Sequence, residues 1–69
     1  MMEIGEAFKY QREIKELSQS QLARETGLSQ QMISWWEAGK GFPSIESCII
    51  LADYYGISLD ELVGRDLNK

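Results

Sequence analysis

An all-α domain of five short helices is what this sequence predicts, and three observations carry the prediction. Four segments end in glycine, at Gly27, Gly39, Gly56 and Gly64, and glycine is the residue that most readily adopts the left-handed conformation closing a helix. Serines at Ser18, Ser29, Ser44 and Ser58 stand where the following segments begin, and a serine hydroxyl accepts from the free amides of a first helical turn. Apolar residues recur three and four apart, and no segment reads as a strand.

The first helix is expected from about Ile4 to Lys15, with Ile4, Ala7, Phe8, Gln11 and Ile14 at helical spacing and Leu17 entering the core just beyond. Gln11 interrupts that apolar face. The second helix, Ser18 to Thr26, opens with a capping box in which Ser18 and Gln21 satisfy each other's free amides while Leu17 staples onto Leu22. The third, Ser29 to Ala38, has Ser29 as its cap, Leu28 and Ile33 as its staple, and Gly39 to stop it. A loop, Gly41-Phe42-Pro43, follows. Ser44 then caps a fourth helix whose inner stripe of Ile45, Cys48, Leu51, Ala52 and Tyr55 runs up to Gly56. In the fifth, Ser58-Leu59-Asp60-Glu61 repeats the capping box, Ile57 and Leu62 form the staple, and Gly64 ends the helix before a polar tail at residues 65–69. These limits give one domain with its core from about residue 4 to residue 63.

A chain of 69 residues is long enough to fold alone but too short for a second core or a deep, enclosed substrate pocket, which favours a surface binding role. The longest unbroken apolar run, Cys48 to Ala52, falls far short of a membrane span, and Met1-Met2-Glu3 lacks the basic and apolar parts of a signal peptide. A cytoplasmic protein without membrane contact is expected. The single cysteine, Cys48, cannot form an internal disulfide, and its place in an apolar stripe predicts a reduced, buried thiol. There is no histidine, no cysteine pair, no phosphate-cradling glycine loop and no serine beside a possible base. Metal and nucleophilic catalysis therefore lack their parts, and no enzyme activity, metal, cofactor or small-molecule ligand is expected. Asp60 and Glu61 are accounted for by helix capping and the helix dipole.

Charge argues against a nucleic-acid partner at first sight, because seven basic residues face eleven acidic ones and the pI is about 4.6. Distribution weakens the objection. Glu46, Asp53, Asp60 and Glu61 have no basic residue among them and account for the whole net charge of −4. From Leu17 to Ile45, Arg24 and Lys40 balance Glu25 and Glu37, leaving that stretch neutral. A neutral surface permits contact with phosphates without driving it, so recognition would rest on shape, dipoles and hydrogen bonds.

The second and third helices are separated by only a tight turn and read as a helix-turn-helix, a unit that presents its second helix to the major groove of DNA. At 100° per residue the third helix turns Ile33, Trp36 and the base of Glu37 inward, and Gln31, Ser34, Trp35 and Ala38 outward, with Gln30 at the edge. A glutamine amide can make a bidentate contact with adenine worth roughly 1–3 kcal/mol of base discrimination. The same polar face would suit plain solvation. Its place after a capped helix and a tight turn favours DNA contact.

Resemblance to a known family becomes specific in Leu17-Ser18-Gln19-Ser20-Gln21-Leu22-Ala23, Thr26-Gly27-Leu28-Ser29, Ile33-Ser34, Glu37, Gly39-Lys40, Pro43-Ser44, Leu51-Ala52 and Gly56 through Leu62. Together these resemble the phage-repressor Cro/CI (XRE) helix-turn-helix family from about Ile4 to Val63, without gaps. The resemblance implies a compact five-helix, lambda-repressor-like domain that binds double-stranded operator DNA, regulates transcription as a repressor, and meets a palindromic site as a homodimer. It places Gln30, Gln31 and Ser34 on base-reading positions with Trp35 beside them, Gln19 and Ser29 on phosphate-contacting helix starts, and Lys40 on a phosphate-facing loop. It also implies an ion pair between Arg12 and Glu37, positions that pair in several members.

Departures from the family pattern are informative. Trp35 stands where a polar or basic side chain is usual, and it either meets deoxyribose or a thymine methyl or lies flat over Gln31 and the turn. Glu16 replaces a glycine or other small turn residue, and Gln11 a usual leucine. Ile50 and Tyr54 lie off the inner stripe of the fourth helix and, with Ile57, Val63 and Leu67, suggest a contact patch for a two-fold dimer. That dimer would set its recognition helices about 34 Å apart, one turn of duplex. The alternative reading is a protein-interaction or antitoxin-like module in which the helix-turn-helix is kept, DNA binding is weak or lost, and Trp35, Ile50 and Tyr54 meet a protein.

Overall fold

A computed structural model describes residues 3–65, which form α1 (Ile4–Ile14), α2 (Gln19–Thr26), α3 (Gln30–Glu37), α4 (Ile45–Tyr55) and α5 (Leu59–Leu62), with no strand among the described residues. Leu67 and residues 66–69 of the expected tail lie outside the described residues.

Local chemistry sets the helix limits. Ser18 and Gln21 close a reciprocal capping box, with Gln21 N–H donating to Ser18 Oγ at 3.1 Å and Ser18 N–H to Gln21 Oε1 at 2.8 Å. Ser58 and Glu61 do the same at 3.0 and 3.3 Å. Ser29 and Ser44 cap α3 and α4 through the amides of Met32 and Ser47. Each such cap is worth about 1 kcal/mol, a large fraction of the stability of so small a domain. Gly27 and Gly56 end α2 and α4 at φ 78° and 69°, where a β-carbon would be strained. α1 ends differently, since Glu16 takes the left-handed turn at φ 56° although it carries a side chain, at a cost of about 1–2 kcal/mol.

The core is one cluster, built from Phe8, Leu22, Ile33, Trp36, Cys48, Leu51, Ala52, Tyr55 and Leu62. Phe8 meets the Trp36 ring edge to face, with centroids 6.1 Å apart. Cys48 is buried, and burial pushes its thiol pKa up. Two residues expected inside lie outside. Ile14 is 53% exposed although it stands nearly in line with buried Ala7 two turns earlier, so the cover on that side of α1 stops short of its last turn. Ile45 is 71% exposed although it is nearly aligned with buried Ala52, so the inner stripe of α4 is covered only from Cys48 onward. Ile57 and Val63 are half-buried and pack against the core cluster.

Three helices are tied together at the Glu37 carboxylate. Arg12 of α1 donates to it through Nε and an Nη, both at 2.8 Å, a bidentate pair whose side chains are only 12% and 5% exposed. Gln19, the first residue of α2, donates its amide to the same carboxylate at 3.0 Å. The other Arg12 Nη donates to the Leu17 carbonyl at 2.8 Å, holding the α1–α2 connection. The hydrogen bond to Glu37 raises the Arg12 pKa further, outweighing the opposing effect of burial.

α1 also approaches the end of α3 at backbone distance. A β-carbon on Gly5 would stand 2.5 Å from the Trp36 carbonyl oxygen and 2.9 Å from that of Glu37. Tyr55 lines the same part of the core as Glu37, and its enclosed hydroxyl has no hydrogen-bond partner among the described residues. Burial, reinforced by the Glu37 charge, pushes its phenol up to about 12.

Removing the guanidinium in Arg12→Ala strands a buried carboxylate and should cost about 3–5 kcal/mol, read by urea denaturation. Gly5→Ala, a single added methyl, should cost about 1–3 kcal/mol in the same assay because α1 must move off two carbonyls. For Tyr55 the folded chain holds the phenol proton more tightly than the unfolded chain does, so its contribution is intact below the unfolded pKa of 10.0 and lost as pH rises towards 12. At 1.36 kcal/mol per pKa unit the loss is about 2–3 kcal/mol. Tyr55→Phe should be at least as stable at neutral pH and should flatten the alkaline loss by that amount, measured by denaturation across the pH range.

Candidate nucleic-acid interface

α2 and α3 are joined by Gly27, Leu28 and Ser29. Gly27 N–H closes α2 onto the Ala23 carbonyl at 2.9 Å, and Ser29 opens α3. Thr26 adds a latch that the sequence reading did not single out. Its hydroxyl donates to the Leu22 carbonyl at 2.7 Å and accepts from Leu28 N–H at 3.3 Å, so the turn is fixed from both sides. A threonine at the last helical position before the glycine is the signal for it.

Ile33 and Trp36 anchor the inner side of α3 in the core. On the other side Gln30, Gln31 and Trp35 are exposed and Ser34 is half-buried. Trp35 is 47% exposed, so much of its ring is open to solvent. Met32, at 42%, is also outward and was not among the expected contacts. The outer face therefore offers amides, a hydroxyl and an indole, with the Met32 thioether on its flank beside Trp36, on a helix whose amino-terminal end carries partial positive charge.

The flanking polar residues have defined positions. Gln19 is half-buried with one amide donor engaged by Glu37, which fixes the side chain at the start of α2. Ser29 uses its hydroxyl as the α3 cap. Lys40 is exposed just past the end of α3, where its N–H donates to the Trp35 carbonyl at 2.9 Å. Between α1, the start of α2 and the end of α3 lies an open cleft of about 280 Å³, lined by Lys9, Arg12, Gln19, Ser34, Glu37 and Ala38. Gln19 and Ser34 are thus brought together, while Gln30 and Gln31 stand at the opposite end of α3.

Away from this face, Ile50 and Tyr54 are 40% and 38% exposed on α4. The Tyr54 hydroxyl donates to the Glu25 carboxylate on α2, and this bond raises the phenol pKa. Among the described residues no group of His, Cys, Asp or Glu could hold a metal ion. None of the described helices is long and apolar enough to cross a membrane.

Comparisons with known proteins agree with this architecture. A family model described as helix-turn-helix matches residues 8–62. The chain is 39% identical over 65 residues to the HTH-type transcriptional activator BcrR of Enterococcus faecalis, covering 94% of this chain and 32% of that protein. It is 39% identical over 64 residues to the cryptic phage CTXphi transcriptional repressor RstR of Vibrio cholerae, covering 93% of this chain and 57% of that one. This chain thus spans about a third of the first relative and just over half of the second. A solved transcriptional regulator from Listeria innocua superposes with a TM-score of 0.81 at 27% identity, over 97% of this chain and 63% of that one. The matched segment contains the whole of α2 and α3, the turn between them and the packing partners Phe8 and Leu62, and on these grounds the chain belongs to the XRE-type helix-turn-helix family.

Proposed function

We propose that this chain is a sequence-specific, double-stranded-DNA-binding unit of a transcription regulator, which sets the outer face of α3 into the major groove. The observation that carries this reading is the division of α3 into an anchored inner side, Ile33 and Trp36, and an open side bearing Gln30, Gln31 and Trp35. Gln30, Gln31 and Ser34 read base edges, and Trp35 adds apolar contact beside them. Gln19, Ser29 and Lys40 meet phosphates and set the register of α3 on the duplex.

The operator is a palindrome bound by a homodimer, with α4 at the two-fold axis. Ile50 and Tyr54 are its central contacts, and Ile57 and Val63 add only the edges that their packing against the core leaves open. Repression is the outcome such a unit reaches most directly, since occupying an operator excludes other proteins, and the setting is the cytoplasm. The two named relatives include one activator and one repressor, so the sign belongs to the promoter context as much as to the fold. Net charge of −4 and the open Trp35 support the rival reading, a protein-interaction or antitoxin-like module.

Selection from a random duplex library separates the two. The wild type should enrich a two-fold symmetric site, and Gln31→Ala should relax preference at one position of each half-site by about 1–3 kcal/mol. Recovery of no enriched sequence would remove the DNA-binding reading and leave the protein-interaction module.

A further inference from the structure

We propose that the flank of α4 formed by Ile45, Ile49 and Asp53, with Glu46 beside them, is a docking surface for a basic amphipathic helix of another protein. The inference does not depend on the DNA-binding reading and uses residues to which that reading gives no role. Spaced four apart, Ile45, Ile49 and Asp53 form one ridge along the helix, turning only about 40° at each step. All three are exposed, Ile45 most of all. The neighbouring ridge of Glu46, Ile50 and Tyr54 lies on the α2 side of α4, since Tyr54 reaches across to Glu25. The buried stripe of Cys48, Leu51, Ala52 and Tyr55 separates that side from the flank that carries Ile45 and Ile49.

Neither end of the ridge serves the helix that bears it. Asp53 stands in the last turn of α4, where the helix carries partial negative charge and a carboxylate is disfavoured. Ile45 opens the helix as an apolar side chain in water. Among the described residues neither Glu46 nor Asp53 forms an ion pair. α4 and α5 contain no basic residue and hold Glu46, Asp53, Asp60 and Glu61, so the surface repels DNA phosphates and anionic lipid alike. A second copy of the ridge fits no better. Laid antiparallel, each Asp53 would press on the other's Ile45 and lose its water without gaining a cation; laid parallel, the two Asp53 carboxylates would meet. A helix with apolar residues opposite Ile45 and Ile49 and a lysine or arginine opposite Asp53 satisfies all three positions, and a second cation at its edge reaches Glu46. The pattern required of the partner is therefore a cation four residues from one apolar anchor and eight from another.

The test selects from a displayed library of helical peptides with randomised surface positions, using wild type as bait and Ile49→Ser as counter-bait. Circular dichroism melting checks that each variant folds. Enriched peptides should carry that pattern and should bind wild type about tenfold more tightly than Ile49→Ser, as expected for an anchor residue of an interface. Exchange of charge supplies the discriminating step. Asp53→Lys should lose the basic peptide and bind the version in which the peptide's cation is replaced by glutamate. Asp53→Asn should melt no lower than wild type, because the carboxylate opposes the helix dipole; a lower melting temperature would mean that Asp53 serves the fold, and would overturn the proposal. Enrichment of no peptide, enrichment of peptides without the cation, or binding indifferent to both Ile49→Ser and Asp53→Lys would overturn it too. So would sedimentation showing self-association of wild type that Ile49→Ser abolishes, which would give the ridge to a second copy. Failure of wild type to enrich any DNA duplex leaves this inference standing.

Discussion

The direction in which α3 points depends on the Glu37 carboxylate, since α1, the α1–α2 connection and the first residue of α2 are all referenced to it through Arg12 and Gln19. A buried ion pair adds little net stability over a well-packed apolar substitute, because removing two charges from water offsets most of their attraction. Its value lies in geometry. The planar guanidinium fixes distance and angle at once, through two parallel bonds to the carboxylate and a third to the Leu17 carbonyl, which the point charge of a lysine cannot do. Hydrophobic packing of Phe8, Trp36 and Ile33 holds α3 down, and the ion pair decides which way it faces.

How much of this was legible in the sequence follows from the range of each interaction. Capping boxes at Ser18 and Ser58, the glycine stops and the outward face of α3 are local, set by residues within one or two turns, and they read directly. The Arg12–Glu37 pair spans 25 residues and was reachable only through family resemblance. Gly5 carried no local signal, because its need for a missing side chain comes from carbonyls on another helix. Ile14 and Ile45 obey helical spacing yet face solvent, since periodicity gives the direction of a side chain but not where the neighbouring helix ends. Of the candidate site, the outward positions of Gln30, Gln31 and Trp35 were legible, whereas the tie from Gln19 to Glu37 and the cleft holding Lys9 needed three-dimensional packing.

Electrostatics give the interface an unusual balance. The excess acid resides on α4 and α5, while the stretch from Leu17 to Ile45 that holds the helix-turn-helix is neutral. For the proposed DNA-binding function this means weak attraction to random duplex, and with it a short residence on wrong sites. Discrimination in a genome depends on the ratio of specific to non-specific binding, so a small ionic contribution raises that ratio wherever side-chain contacts are good. A tryptophan beside glutamines fits such a surface, because it adds contact area without adding charge.

The close approach of Gly5 to the end of α3 has a consequence for how recognition fails. With backbone against backbone at Gly5, α3 has little room to slide or tilt there, so under the proposed function its outer face is in place before DNA arrives. Such an interface gains affinity by avoiding an ordering step, yet it cannot adapt to a mismatched base by shifting its helix. New targets would therefore be reached by exchanging side chains on a fixed frame.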